Sequence, residues 1–288
     1  MSVAATDIAA VVVLYRPGAD TAPKTSAVAA QVDHLFAIDN SEDPDTDLVE
    51  TIRTLPNVTY VPLGDNLGIA AAFNAGIGLA REGGYSWVLT MDQDSTPVPG
   101  MVSTLARCAG EYAADHPIGI VSPLHVREGG PNPKGSTRCS PSLTVMSSGN
   151  LLSVAAWEAV GGFDEGLFID QVDNEICLHL RREGFEVLRC REARLLHRLG
   201  MTVKHTFPVT SYVTHHPAIR RYYITRNRLE VGRRYVDDFP EYRRRELHAM
   251  RREIGKIVLY EDEKWAKLLM SWRGYVDYRR GVKGRYSR

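Results

Sequence analysis

Through the first two-thirds of the chain, apolar residues come in short runs separated by polar turns. Ile8–Leu14 (IAAVVVL) is apolar throughout, the pattern of a strand buried on both faces. His34–Ile38, Val58–Leu63 and Trp87–Met91 repeat the pattern, and Ile118–Ser122 and Leu143–Ser147 are predicted as further strands. Between them, Gly68–Ala80 (GIAAAFNAGIGLA) is small and apolar at helical spacing, which predicts a helix packed closely on a sheet. Residues 99–114 and 154–160 are also predicted helical. Strand–helix alternation predicts an α/β fold with a doubly wound, mostly parallel sheet. Sheets of this kind bind ligands beyond the carboxyl ends of their strands. From Pro217 the pattern changes: residues 217–238 and 240–280 are predicted helical, rich in Arg, Tyr and Trp, and broken at Asp237-Asp238-Phe239-Pro240. Residues 1–215 therefore form the predicted α/β domain and 216–288 a basic, aromatic-rich helical extension.

With 288 residues, 44% hydrophobic and 24% charged, the composition is that of an ordinary globular protein. The formal net charge of zero hides an asymmetry. Residues 1–219 carry 15 basic and 25 acidic side chains, whereas residues 220–288 carry 20 basic and 10 acidic. Such a tail suits phosphates or an anionic membrane, or is a set of solvated helix faces or a dimer contact. It carries no nucleic-acid-binding motif, and nucleic acid is not an expected partner. Cys108, Cys139, Cys177 and Cys190 include no CxxC pair, so neither structural zinc nor a disulfide framework is expected, and a reducing compartment is. Met1–Ala10 has no basic n-region, which predicts no secretory signal, and the longest apolar run is too short to cross a bilayer. Tyr15-Arg16-Pro17-Gly18 follows the first strand where a nicotinamide-binding domain would carry GxGxxG.

Polar clusters stand where the predicted strands end. Asp92-Gln93-Asp94-Ser95 places two carboxylates at i and i+2, able to converge on one hard cation or to cap a turn. Asp39-Asn40-Ser41 offers a carboxylate to a pyrimidine imide or closes an Asx-turn. Asp65-Asn66-Leu67-Gly68, with Asn74 following, sets backbone amides at a helix start near a nucleotide, or forms an N-cap. Asp170 and Asp173, three apart before the apolar positions Ile176, Leu178 and Leu180, suit a general base or a dipole-favoured first turn. His197 follows Leu195-Leu196 and is either a core histidine or a third metal ligand. Tyr222 and Arg226, like Tyr223 and Asn227, are i, i+4 pairs, and the face they form is suited to a diphosphate or to snorkelling arginines.

In this order the segments VVVLY (11–15), AIDNS (37–41), DNLGIAAAFNAGI (65–77), LTMDQDS (89–95), SSGNLLS (147–153), VGGFDEGLFIDQVDNEICLHL (160–180), LLHRLG (195–200) and RRYYITRN (220–227) resemble glycosyltransferase family 2, with the GT-A fold, and more narrowly its bacterial rhamnosyltransferase branch. The likeness spans roughly residues 8–230. It implies an inverting, metal-dependent transfer from a nucleotide-sugar, dTDP-L-rhamnose first among donors, with UDP-galactofuranose and UDP-hexoses as alternatives and a non-catalytic nucleotide-sugar-binding protein as another. The implied acceptor is a saccharide on a polyprenyl diphosphate or a cell-surface polysaccharide. The cation would be Mg²⁺ or Mn²⁺, held by Asp92, Asp94 and His197. Donor contacts would come from Asp39, Asn40, Asp65, Asn66, Gly68, Asn74, Asp92, Gln93, Tyr222, Tyr223 and Arg226, and acceptor contacts from Ser148 and Gly149. Asp173 matches the family's base; Val172 stands where the family carries an acid, which keeps Asp170 as the alternative. A cytoplasmic protein at the inner membrane face is implied, with a homo-oligomer left open.

Overall fold

A computed structural model describes residues 7–112, 116–126, 139–197, 202–206 and 211–287; of residues 197, 202–205 and 211 it describes the backbone alone. The chain folds as two compact units: residues 1–165 with 173–198, and residues 166–172 with 199–288.

The first unit is built on a nine-stranded sheet among the described residues. Its strands are β1 (Ile8–Leu14), β2 (His34–Asp39), β3 (Val58–Pro62), β4 (Trp87–Asp92), β5 (Ser95–Pro97), β6 (Ile118–Val126), β7 (Ser140–Pro141), β8 (Asn150–Ser153) and β9 (Glu186–His197). The order is β3-β2-β1-β4-β8-β6-β9-β5, with β7 on β9. The half running from β3 to β4 is parallel, as the alternation predicts. Beyond β4 the sheet is mixed: β8 runs antiparallel to both β4 and β6, and β5 and β7 antiparallel to β9. Leu143–Ser147 is not a strand. The chain there is irregular, and pairing starts only at Asn150, after Gly149 takes a φ of 83°.

Helices α1 (Thr21–Ala29), α2 (Thr46–Arg53), α3 (Ile69–Glu82), α4 (Met101–Tyr112), α5 (Val154–Ala159) and α6 (Val172–Arg182) connect the strands. The core joins β1, β2 and β4 to α1, α2 and α4 through Ile8, Val12, Leu14, Leu35, Leu48, Leu89, Leu105 and neighbours, all buried. Glycine is required on α3: a Cβ at Gly76 would lie 2.5 Å from a Val11 methyl and 3.0 Å from Ile38. The small-residue run 68–80 thus brings α3 tightly against β1 and β2.

The second unit contains β10 (Thr202–His205) and β11 (Ser211–Thr214), paired antiparallel, and the helices α7 (Ala218–Arg234), α8 (Pro240–Tyr260) and α9 (Lys264–Arg280). The single predicted helix 240–280 is two, interrupted at 261–263, where Glu263 adopts φ 52°. A Cβ at Gly274 would collide with the Tyr222 carbonyl, so α9 lies directly on the α7 backbone. Phe168, Tyr222, Tyr223 and Met270 form the core. A buried ion-pair network ties Arg221 to Glu253 and Glu261, Arg228 to Glu246 and Glu253, and Lys267 to Glu261.

Cys108 of α4 and Cys139 are joined as a disulfide, and the Cys190 sulfur of β9 lies within 4.8 Å of both. The spacing of the cysteines gives no sign of this bridge. Residues 31 apart in sequence meet because α4 and the start of β7 both pack on β9.

Candidate active site

Parallel pairing aligns the strand ends: Leu14 of β1 stands opposite Asp39 of β2, and Val13 opposite Asp92 of β4. Asp39, Asp92 and Asp94 are thereby brought to the carboxyl edge of one sheet.

The acidic loop Asp92–Asp94 is braced from three directions. The Gln93 amide accepts from the Tyr15 main-chain N–H at 2.7 Å and donates to the Tyr15 carbonyl at 3.0 Å, extending β1 pairing by one side chain. The Asp92 N–H donates to Ser148 Oγ at 3.2 Å, and Ser148 Oγ donates to Ser95 Oγ at 2.9 Å. Ser95 then enters β5, where it stands opposite His197 of β9. Register therefore brings the His197 backbone within one residue of Asp94; its side chain lies outside the described residues. Asp92 is half-buried and Asp94 exposed. Two carboxylates on a rigid turn are a hard-oxygen donor set that fits Mg²⁺ or Mn²⁺.

The structure places Ser148 and Gly149, expected at the acceptor, in buried positions. Ser148 is buried as a brace of the acidic loop. The Gly149 N–H donates to the Thr90 carbonyl, and Pro123 and Leu195 fill the space a Cβ would take. Gln93 likewise spends its amide on Tyr15 rather than on a donor.

On β2, the Asp39 carboxylate accepts from Ser41 N–H at 2.9 Å and from Tyr60 OH at 2.8 Å. The Asx-turn is thus formed, with Tyr60 as a partner sequence patterns do not show. Burial, followed by the Asp39 hydrogen bond and charge, raises the Tyr60 phenol above its ordinary range. Asn40 Oδ1 accepts from Leu67 N–H and its amide donates to Asn66 Oδ1, so AIDNS and DNLG form one polar seam. Asp65 is exposed beside that seam, and Gly68 holds φ 90° at the start of α3. Asn74 is a clip and not a donor contact. Its amide donates to the Phe163 carbonyl and Glu165, and its carbonyl oxygen accepts from Trp157 Nε1 and Phe163 N–H. That exhausts both amide protons and both lone pairs.

Asp173 opens α6 in the first unit, and its Oδ1 accepts from Asn174 N–H. One turn on, the buried Cys177 thiol donates to Val145 O, in the segment that continues to Ser148. Burial pushes that thiol up to about 12, with the Asp173 and Glu175 charges adding to the shift. Through these contacts α6 lies along the same segment that braces the acidic loop.

Asp170 belongs to the second unit. Its two oxygens lie in the fork of Arg220, at 3.0–3.2 Å. Phe168, Asp170 and Gln171 all hold positive φ, 65°, 65° and 67°, a costly conformation for residues with side chains. Arg226 and Asn227 hold it. Arg226 donates to the carbonyls of Gly166, Leu167 and Gly284, and Asn227 to those of Leu167, Ile169 and Asp170. The Arg226 guanidinium also lies 5.3 and 5.2 Å from the Tyr222 and Tyr223 ring centres. Tyr222 donates to Asp277, and Tyr223 OH accepts from Tyr286 N–H; burial raises both phenols. The expected diphosphate face is therefore the interior of the second unit, since every one of these side chains already has protein partners. Asn227, whose role sequence reasoning missed, is legible only as the one amide in a motif of arginines and tyrosines.

Residues 11–139 match the model of glycosyl transferase family 2. The chain is 31% identical over 200 residues to the dTDP-rhamnosyl transferase RfbF of Shigella flexneri, covering 62% of this chain and 64% of that protein. It is 28% identical over 218 residues to the galactofuranosyltransferase GlfT1 of Mycolicibacterium smegmatis, covering 67% and 71%. Among solved structures, S. aureus TarS 1–349 in complex with UDP-GlcNAc superposes over 96% of this chain and 81% of its own, with a TM-score of 0.58 and 14% identity. GalNAc-T7 with UDP, GalNAc and Mn²⁺ does so over 66% and 43%, with a TM-score of 0.56 and 16% identity. The α/β sheet with its helical C-terminal region has the GT-A fold.

Proposed function

With a family 2 glycosyltransferase domain over residues 11–139 as the premise, we propose that the protein transfers L-rhamnose from dTDP-L-rhamnose, with inversion, to a hydroxyl of a lipid-linked or cell-surface saccharide. The observation that carries this reading is the acidic loop, braced by Gln93 and Ser148 at the carboxyl edge of a parallel sheet. The likeness to RfbF supports rhamnose as the sugar. Asp94, with Asp92 and His197, would hold Mg²⁺ or Mn²⁺, which supplies positive charge against the diphosphate. The seam of Asp39, Asn40, Asp65 and Asn66 lies at the same sheet edge and would receive the nucleoside.

Asp173 is the base, accepting the acceptor hydroxyl proton as that oxygen attacks the anomeric carbon. It stands in the unit that carries the acidic loop, whereas the Asp170 carboxylate is spent on Arg220. Inversion in one displacement needs no protein nucleophile. The likeness to GlfT1 supports a second reading, with a galactofuranosyl donor.

Product analysis decides between the readings. The full chain is incubated with dTDP-rhamnose or UDP-galactofuranose, a polyprenyl-diphosphate saccharide, and Mn²⁺ or chelator. Rhamnosylated product that disappears with chelator supports the first reading. Asp173→Asn should lower turnover about 10²–10⁴-fold while donor binding persists. Donor binding without turnover by the unaltered protein would make it a nucleotide-sugar-binding protein instead.

A further inference from the structure

Helix α9 has its amphipathicity inverted. Apart from Met270, its inward face is polar or small: Lys267 (4% exposed), Ser271, Gly274 and Asp277 (2% exposed). Lys267 Nζ donates to Glu261 at 2.9 Å, and Asp277 accepts from Tyr222 OH at 3.0 Å. Its outward face carries Trp265 (85% exposed), Leu269 (50%) and Trp272 (60%), spaced i, i+4, i+7 as one stripe. Ile254, Val258 and Leu259, at the end of α8, are exposed just before it in sequence. Nine of the twelve exposed large apolar side chains among the described residues belong to the second unit.

Burying an ammonium and a carboxylate costs more than burying a tryptophan, so packing within the unit does not account for this arrangement. An exposed apolar stripe of this kind marks a surface that meets a partner or a membrane. The charges identify that occupant. The exposed charges of α9 are Lys264, Arg273, Arg279 and Arg280, and its one acid, Asp277, is buried. Asp262 and Glu263 precede the helix at one end. In a two-fold dimer through this face the cations of one copy would meet those of the other. An anionic lipid surface instead takes tryptophans at its interface and cations at its headgroups. No described helix is long and apolar enough to cross a membrane, so α9 would lie along the surface.

We propose that the outward face of α9 docks the protein on an anionic membrane, with Trp265, Leu269 and Trp272 in the interfacial layer. The inference stands apart from the sugar-transfer reading.

The test is flotation of the full chain with phosphatidylcholine vesicles, with and without phosphatidylglycerol. The unaltered protein should float with the anionic vesicles, with its tryptophan emission shifted to the blue. Trp265→Ser/Leu269→Ser/Trp272→Ser removes only exposed side chains. With an unchanged melting profile, it should lower the partition coefficient at least about tenfold. Lys264→Glu/Arg280→Glu should weaken binding to the anionic vesicles alone. The proposal is overturned if the unaltered protein does not float, if the triple variant floats equally well, or if light scattering finds a dimer that the triple variant abolishes.

Discussion

Asn227 offers the sharpest test of how the motif at 220–227 works. Its side chain is fully buried, and its amide donates to the carbonyls of Leu167, Ile169 and Asp170 at 2.7–3.0 Å. Asn227→Ala strands the Ile169 and Asp170 carbonyls and the Arg226 Nε donor, while Arg226 still holds Gly166 and Leu167. A buried polar group left unsatisfied costs about 1–3 kcal/mol. Leu167 keeps one partner, so Ile169 and Asp170 carry most of the loss, about 2–6 kcal/mol together. Three neighbouring positive φ values store further strain that local opening releases, so the segment should open before the unit melts. The variant should melt roughly 6–12 °C lower for a loss near 3 kcal/mol. Hydrogen exchange should quicken most at 166–172. A melting point within about 1 °C of the parent, with unchanged exchange there, would refute the assignment of Asn227 as the clamp.

Three further outcomes follow from the geometry. Burial, then the charges of Arg220 and Arg221, lowers the His216 pKa from 6.5, against the opposing pull of Asp170 and Glu253. The unfolded chain therefore binds the proton more readily, and the stability His216 contributes is full above pH 6.5 and lost as pH falls through the lowered value. Urea midpoints at pH 7.5 and 5.5 should differ less in His216→Gln than in the parent. Reducing the Cys108–Cys139 bridge frees a 31-residue loop, which should cost about 3–4 kcal/mol, read as a lower melting temperature in dithiothreitol. Gln93→Ala removes both bonds to Tyr15. It should raise the Mn²⁺ concentration needed for half-maximal turnover several-fold, with melting shifted by no more than about 2 °C because the pair is solvent-exposed.

Periodicity carried the parallel half of the fold, since β1 is a continuous apolar run and β2, β3 and β4 are apolar-rich runs that end on acids or on turn residues. It failed at 143–147, where LTVMS has the composition of a strand but Gly149 sets the turn and β8 begins beyond it. Local spacing also brought the acidic loop and Asp173 to attention, because carboxylates at strand and helix ends are visible one segment at a time. What surrounds them is not. That Gln93 pairs with Tyr15, 78 residues away, and Ser148 with Asp92, 56 away, depends on strand order. A motif such as RRYYITRN reads identically whether its arginine faces a ligand or the carbonyls of a strained loop. The disulfide escaped for the same reason, as it joins two segments that only β9 brings together.

The acidic loop is held by parts of the chain translated long after it. Ser148 arrives more than fifty residues later, and β9, on which β5 aligns, about a hundred later. A fragment ending at residue 139 would contain the aspartates, the first four strands and β6, yet keep only the Gln93–Tyr15 bonds to hold the turn between β4 and β5. During synthesis the full bracing of the acidic loop is thus completed only once Ser148 and β9 are in place. An immature or truncated chain would carry the motif without its full set of braces.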